Sequence, residues 1–320
     1  MSKYVLKRVL LMIPVLIGVS IIIFTIMYFV PGDPTTTILG AGATETEKMI
    51  LREKLGLNQP YLIRLAGFLK QLFLHFDFGT SYATSKPVLP ELLERLPRTA
   101  IITLGSIIIA VALGLPLGIT AAVHQNTWVD RVSIFISLLG LSMPNFWIAL
   151  LLILLFSLRL NLLPSFGFNG PAYYIMPWIA SCFGTLASLA RQSRSSMLEV
   201  IRQDYITTAK AKGVSKKNVI YHHALPNALI PVVTVIGTSI ASGFAGSLVI
   251  EQVYSIPGLG LYMVNAINAR DYSAVQGAVV FTSFMFSLIM LVVDLVYAYI
   301  DPRIKAQYIG VKKRRIEDEK

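Results

Sequence analysis

Residues 204–227 read DYITTAKAKGVSKKNVIYHHALPN, a block of basic, hydroxyl-bearing and small residues inside a chain that is otherwise strongly apolar. It contains no catalytic set, yet it is patterned. Asp204 is expected to cap a helix over YITTAKAK that Gly213 terminates, and Ser215 to cap a second helix, KKNVIYHHAL, that ends at Pro226. Two short helices at an angle make a projecting elbow. Ala209 and Ala211 beside Gly213 leave a surface that another protein's backbone can approach closely, while Lys210, Lys212, Lys216 and Lys217 supply charge at the rim. A merely solvated basic loop is the alternative, and the rest of the chain has to decide between them.

With 55% hydrophobic and 14% charged residues and a mean hydropathy of +0.66, the chain is too apolar for a soluble globular protein, in which about a quarter of residues are charged. A spanning helix needs about 20 apolar residues to cross roughly 30 Å of hydrocarbon. Six segments meet that requirement, at about 9–30, 99–123, 132–158, 173–190, 228–250 and 276–300. An all-α membrane protein of six transmembrane helices is therefore expected. If the N-terminus is cytoplasmic, eighteen of the 28 Lys and Arg residues fall on the cytoplasmic side. The long stretch 31–98 carries most of the others, and charge weighs less in long segments. Both termini are expected inside. The net charge of +11 then reflects topology and contacts with anionic lipid, including those of the tail KKRRIEDEK, rather than nucleic acid.

The organisation read from this is a cytoplasmic N-terminus and first helix (1–30), an extracytoplasmic insertion (31–98), a five-helix core (99–300) containing the loop 191–227, and a basic cytoplasmic tail (301–320). The first segment, at about 22 residues and followed by VPGDP, is too long for a signal peptide and reads as an uncleaved anchor. In the insertion, TETEKMILREKLGL reads as a short helix with Gly56 at its end, and an amphipathic helix resumes after Pro60. DFGTSY and SKPVLP read as turns. The insertion is either a cap on the helix ends or a contact surface for an external partner, and the two are compatible.

Chemistry inside the membrane is sparse. Asp294 is the one carboxylate well within a segment, and an ion pair with Arg303 or snorkelling is weighed there against a proton relay. Prolines 14, 116, 144 and 231 interrupt the helical ladder. In SMPNFW, Pro144 beside Ser142 and Asn145 either frees carbonyls to face a passage or makes a kink packed by Gly140 and Ser142. Cys182 reads as packing. On the outer side, the loop Tyr254–Tyr272 holds the pair Arg270 and Asp271, which either receives a partner or braces the loop.

Several functions are excluded by absence. There is no GxxxxGK[ST] loop, no HExxH, no CxxC and no GxSxG, and only His222 and His223 of the four histidines are neighbours. Adjacent helical residues point about 100° apart and make a poor metal site. No enzyme activity, metal or cofactor is expected on this chain.

The elbow resembles the EAA loop of ABC-importer permeases, with Gly213 and Pro226 thirteen positions apart and Leu225 before the proline. Thr207, Thr208 and Ala209 stand where Glu-Ala-Ala would be, and DYI-T-AKAKG followed by HALPNA is similar to the peptide-permease branch. KRVLLMIPVLIGVSIIIF, FVPGDP, LPRTAIITLGS, DRVSIFISLLGLSMPNFW, EQVYSIPGLGLYMVNAINARDY and VDLVYAYIDPRIK extend the resemblance nearly end to end, to the B-type permease subunit of dipeptide and oligopeptide importers.

That resemblance implies a type I importer fold in a bacterial or archaeal inner membrane, paired with a homologous C-type permease. It further implies two ATPase subunits that use ATP and magnesium, and an extracytoplasmic binding protein that delivers peptide. Asp204, Tyr205, Thr207, Thr208, Ala209, Lys210, Ala211, Lys212, Gly213, His223 and Pro226 would then form the ATPase-coupling surface. Ser142, Pro144 and Asn145 would line the path, and Arg270 and Asp271 would meet the binding protein. A same-branch permease for nickel, glutathione or an oligosaccharide is the alternative. A secondary transporter would show buried ionisable groups and broken helices in matching halves, which Asp294 alone does not supply.

Overall fold

The computed structural model describes residues 2–40 and 42–300. The tail 301–320, with Arg303 and the expected lipid-facing cluster, lies outside the described residues. Fourteen helices follow one another in chain order: α1 Ser2–Phe29, α2 Pro34–Leu39, α3 Glu45–Lys54, α4 Tyr61–Leu74, α5 Val88–Val123, α6 Trp128–Ser142, α7 Asn145–Leu152, α8 Ala172–Ile201, α9 Asp204–Ala211, α10 Lys216–Asn218, α11 Leu225–Phe244, α12 Leu248–Val253, α13 Leu259–Asn268 and α14 Tyr272–Ile300. Wide π-helical turns extend α7 over Ile153–Arg159 and join α10 to α11 over Val219–Ala224. Among the described residues the only β-type pairing is an isolated antiparallel bridge between Thr80 and Pro87.

Among the described residues four helices are long and apolar enough to cross a membrane: Val5–Phe29, Val88–Val123, Lys216–Phe244 and Tyr272–Val296. The expected segment 132–158 is not one straight span. It breaks between Ser142 and Asn145 into α6 and α7, bent by 95°, and this pair counts as a fifth crossing if taken together. The break has a local cause: Pro144 offers no N–H and pushes the preceding residue out of the helical region, so Met143 sits at φ −89°, ψ 123°. The fourth expected segment falls inside α8, which is 30 residues long. Tyr173, Pro177, Ser181, Gly184 and Thr185 dilute its apolar character, and it is not among the helices that qualify.

The helix that carries the second expected segment, 99–123, begins upstream of it. α5 starts at Val88, and SKPVLP is therefore already partly helix. Pro90 falls in its first turn, where the missing N–H has no intrahelical partner to lose.

Two compact units divide the chain. One comprises Arg8–Ala100 and Phe244–Ser287. Its core gathers Leu72, Val88, Leu92, Leu259, Ala274, Val275, Ala278 and Phe281, with Val88 and Leu92 fully buried. Local capping sets its small helices. Thr44 and Glu47 exchange hydrogen bonds in a capping box at the start of α3. Gly56, at φ +64°, follows its end. Asp33 caps α2, a helix that sequence periodicity did not suggest, and also accepts from Arg52. Burial works against the Asp33 charge, but the hydrogen bonds from Arg52 and Thr35 outweigh it and hold the carboxyl below its usual range.

The other unit takes in the described residues up to Lys7, Ile101–Gly243 and the described residues from Leu288. Here helices meet through small residues. A Cβ on Gly114 would lie 2.7 Å from the Leu186 carbonyl of α8, and one on Gly118 would run into the Ala190 carbonyl. Gly140 of α6 makes a looser contact, where a Cβ would lie 3.1 Å from the Phe183 carbonyl oxygen and 3.2 Å from the Ala187 Cβ. Without a hydrophobic driving force between helices in lipid, such close approach supplies the packing energy.

Candidate functional site

The elbow is built on a small core in which Ile206 and Ala209 of α9 pack with Met197, Val219, Ala224 and Ala228. Ile206 is fully buried and anchors the helix, and Ala209, three residues on, falls on the same face. This corrects the expectation that Ala209 lies on the outward surface: its side chain belongs to the elbow's own interior. Asp204, Tyr205, Thr207, Thr208, Lys210, Ala211, Lys212 and Gly213 are all exposed.

Asp204 is likewise not the cap. Gln203 occupies that position with extended backbone and no side-chain bond, and Asp204 is the first helical residue, where its charge complements the helix dipole. The Thr208 hydroxyl turns back to the Asp204 carbonyl at 3.0 Å.

The helix ends as its glycine requires. Gly213 adopts φ +78°, its N–H donates to the Lys210 carbonyl at 3.0 Å, and the Val214 N–H donates to Ala209 at 3.2 Å. These two bonds constitute a Schellman motif, which explains why Val214 packs back onto the core beside Ala209. Among the described residues nothing lies within 4 Å of where a Gly213 Cβ would point. Ser215 caps the next turn, accepting from the Asn218 N–H at 3.4 Å.

Pro226 does not end the second helix, as the sequence suggested. The chain is helical from Lys216 to Phe244, with the π turn Val219–Ala224 directly before the proline. A proline ring clashes with the carbonyl four residues back and donates no bond, and a widened turn removes both conflicts. His223 is exposed within this turn. The Asn227 amide donates to the Tyr205 hydroxyl at 2.8 Å and ties α9 to the start of α11.

Just upstream, Asp130 is buried at 3% side-chain exposure and accepts two bonds from Arg194, Nε at 2.5 Å and Nη2 at 2.8 Å. The pair joins the start of α6 to α8, the helix that leads into the elbow. Sequence reading missed it, since the partners stand 64 residues apart.

Ser142, Pro144 and Asn145 are exposed at the break between α6 and α7, and the Ser142 hydroxyl is engaged with the Leu138 carbonyl at 2.8 Å. Gly140, one turn before the break, packs closely on α8.

In the first-described unit, Arg270 and Asp271 do not act as a pair. Arg270 is exposed at φ +54° and its side chain lies over Gly32. Asp271 is 1% exposed. It accepts from the Ser81 hydroxyl at 2.5 Å, the Ala83 N–H at 3.1 Å and the Ala274 N–H at 3.0 Å, so it caps α14 and holds the 79–88 loop at once. Burial removes it from any contact surface.

Glu251, also missed, is fully buried. It accepts from the Thr99 hydroxyl at 2.6 Å and the Leu261 N–H at 2.9 Å. Gly258 and Gly260 make room for the carboxylate, because a Cβ at either would meet it. Burial pushes the Glu251 carboxyl up, against the pull of Thr99 and the Leu261 and Gly260 amides. Among the described residues no group of three or more His, Cys, Asp or Glu is placed to hold a metal. Burial raises the Cys182 side chain's packing role to the foreground, at 3% exposure.

Residues 114–306 match the family described as binding-protein-dependent transport system inner membrane component, and residues 1–103 match its N-terminal companion. The chain is 41% identical to the dipeptide transport system permease protein DppB of Alkalihalophilus pseudofirmus, over 95% of this chain and 100% of that one. It is 40% identical to the glutathione transport system permease protein GsiC of Salmonella choleraesuis, over 95% and 99%. Its fold is similar to a chain of the MetNI methionine ABC transporter in an inward-facing form, with a TM-score of 0.58 and 18% identity, covering 68% of this chain and 100% of that one.

Proposed function

The chain belongs to the family of binding-protein-dependent transport system inner membrane components, and from that premise we propose that it is the B-type permease of an ATP-driven importer of di- and oligopeptides. ABC importer permeases move substrate while ATP is hydrolysed on separate subunits, and this chain carries no nucleotide loop of its own. The observation that carries the reading is the elbow: a short helix anchored from inside by Ile206 and Ala209 and open on its outer face from Asp204 to Gly213. A rigid projection of this kind transmits ATPase closure to α8 and α11 as a domain-scale motion.

In this reading the elbow, the N-terminus and the tail are cytoplasmic. The insertion 31–98 is extracytoplasmic, and α8 is counted as a crossing with the bent pair, giving six. A C-type permease completes the path, whose lining includes Ser142, Pro144 and Asn145 at the broken helix. Two ATPases seat on the elbows, and a peptide-loaded binding protein docks on the insertion and Arg270. Glutathione, itself a tripeptide, is the favoured second substrate, because a glutathione permease is nearly as similar as a dipeptide permease.

The test is uptake of a labelled dipeptide by cells with and without this chain, with glutathione as competitor. Uptake lost on deletion and restored by the gene is expected. Unchanged dipeptide uptake with lost glutathione uptake would move the assignment to the second substrate, and loss of neither would overturn the importer reading for both.

A further inference from the structure

A cavity of about 360 Å³ lies among α1, α4, the 77–82 loop and the start of α14. It shares Tyr28, Arg64 and Tyr272 with a neighbouring cavity of about 340 Å³. Two helices apolar enough to cross a membrane meet it end-on: Val5–Phe29 ends at its wall and Tyr272–Val296 begins there. Tyr28 and Tyr272 stand at those ends, and tyrosines favour the membrane boundary.

Arg64 stands at the waist of the two cavities. Its guanidinium lies 5.2 Å over the Tyr28 ring and gives one N–H to the Leu57 carbonyl at 3.4 Å. No ion pair among the described residues includes it. Of the acids nearby, Asp33 is paired with Arg52, and Asp77, which also lines the cavity, accepts from the Gly79 N–H through one carboxylate oxygen at 2.8 Å and forms no ion pair with Arg64 among the described residues. Most of a fork of five donors is left facing the cavity, which suits a phosphate. Gln59, Gln71 and Gln276 also line it, and their amides both donate and accept, as the hydroxyls of a glycerol headgroup require.

Gly67 supplies a second, independent observation. It sits inside α4, where glycine costs a helix about 1 kcal/mol relative to alanine, and among the described residues nothing lies within 4 Å of where its Cβ would be. No contact among the described residues accounts for a glycine there. It faces the cavity, where an occupant can approach its backbone. One heptad deeper on the Tyr28 face of α1, Ile21 is exposed and offers an acyl chain its track.

We propose that this cavity holds one anionic phospholipid at the membrane boundary, with its phosphate on Arg64, its headgroup hydroxyls among the glutamines and its glycerol backbone against Gly67. The lipid becomes a structural part of the unit that carries the insertion, filling a void between α1 and α4.

Native mass spectrometry of the full chain, purified in detergent supplemented with phosphatidylglycerol, tests this directly. The wild-type chain should retain one phosphatidylglycerol, and Gly67→Ala, whose methyl enters the space given to the glycerol backbone, should retain less. Arg64→Gln should lower the retained fraction about tenfold, the loss of a charge-assisted contact. Gly67→Leu should do the same while keeping the charge and improving helix propensity, so it decides the matter if Arg64→Gln folds poorly. Equal retention in wild type, Arg64→Gln and Gly67→Leu would overturn the proposal. Arg64-dependent binding of inorganic phosphate or dialanine without retained phosphatidylglycerol would overturn it too, by assigning the cavity to a soluble anion.

Discussion

The elbow at 204–213 and the segment 251–271 look alike in sequence, each mixing charge, glycine and short helix, but they use charge in opposite ways. In the elbow the polar and charged side chains point outward, and the interior is made by Ile206 and Ala209. In 251–271 the two carboxylates are fully or almost fully buried and committed to backbone amides and hydroxyls. The first arrangement leaves a surface for something else to bind. The second leaves a rigid clamp whose polar groups are already satisfied.

The largest stability effects should therefore come from the clamp. Asp271→Ala would strip acceptors from Ser81, Ala83 and Ala274 together, and a loss of about 2 to 4 kcal/mol is expected. Thermal unfolding in detergent checks it, and a change below about 1 kcal/mol would mean that the loop 79–88 is held by other contacts.

Glu251→Ala should cost a similar amount, whereas Glu251→Gln keeps an acceptor and removes the buried charge. Because burial raises the folded-state value of this acid, the folded state binds its proton more readily than the unfolded chain. Its contribution is then most favourable at low pH and declines as pH rises from the ordinary carboxyl range through the raised value. Glu251→Gln should flatten that part of the stability curve, and a curve of unchanged slope would show that Glu251 is not its source.

Gly213→Val falls in the middle of the range. The left-handed conformation resists a β-branched residue, and about 1 to 2 kcal/mol is expected from backbone strain alone, with no clash in the chain. Peptide uptake should fall while the protein still inserts. Full uptake would separate the glycine from coupling.

The smallest perturbation is a labelling pair. Ser81 is a poor probe, since it is buried against Asp271. Ala83 is exposed in the same loop. In a Cys182→Ala background, Ala83→Cys should react with an impermeant thiol reagent in intact cells and Ser215→Cys should not, with permeabilised cells lacking the ATPases as control. The reverse pattern would invert the orientation and with it the assignment of the two regions.

How much of this was readable follows from the range of each interaction. The caps at Gly56, Gly213 and Ser215 lie within one helical turn of what they terminate, and sequence pattern finds them. The direction of Ala209 was also available, in the spacing from Ile206, but small residues invite a reading as open surface until an anchor is recognised. Asp271 and Glu251 could not be placed that way: Ser81 and Thr99 are 190 and 152 residues distant. The 95° break shows a different limit. Pro144 announces a perturbation, but whether the chain kinks or turns depends on how α6 and α7 each pack against α8, contacts that lie outside the local sequence.

The central claim is that the outward face of α9 is where an ATPase subunit makes contact. Ala211 is exposed on that face and outside the elbow's core, so Ala211→Trp should leave stability within about 0.5 kcal/mol while blocking close approach. Peptide-stimulated ATP hydrolysis by the transporter reconstituted in vesicles is the measurement. A drop of about tenfold or more with an unchanged unfolding temperature is predicted, the loss of a few well-packed contacts at an interface centre. Normal stimulation in Ala211→Trp would contradict the account and return α9 to the status of a solvated loop.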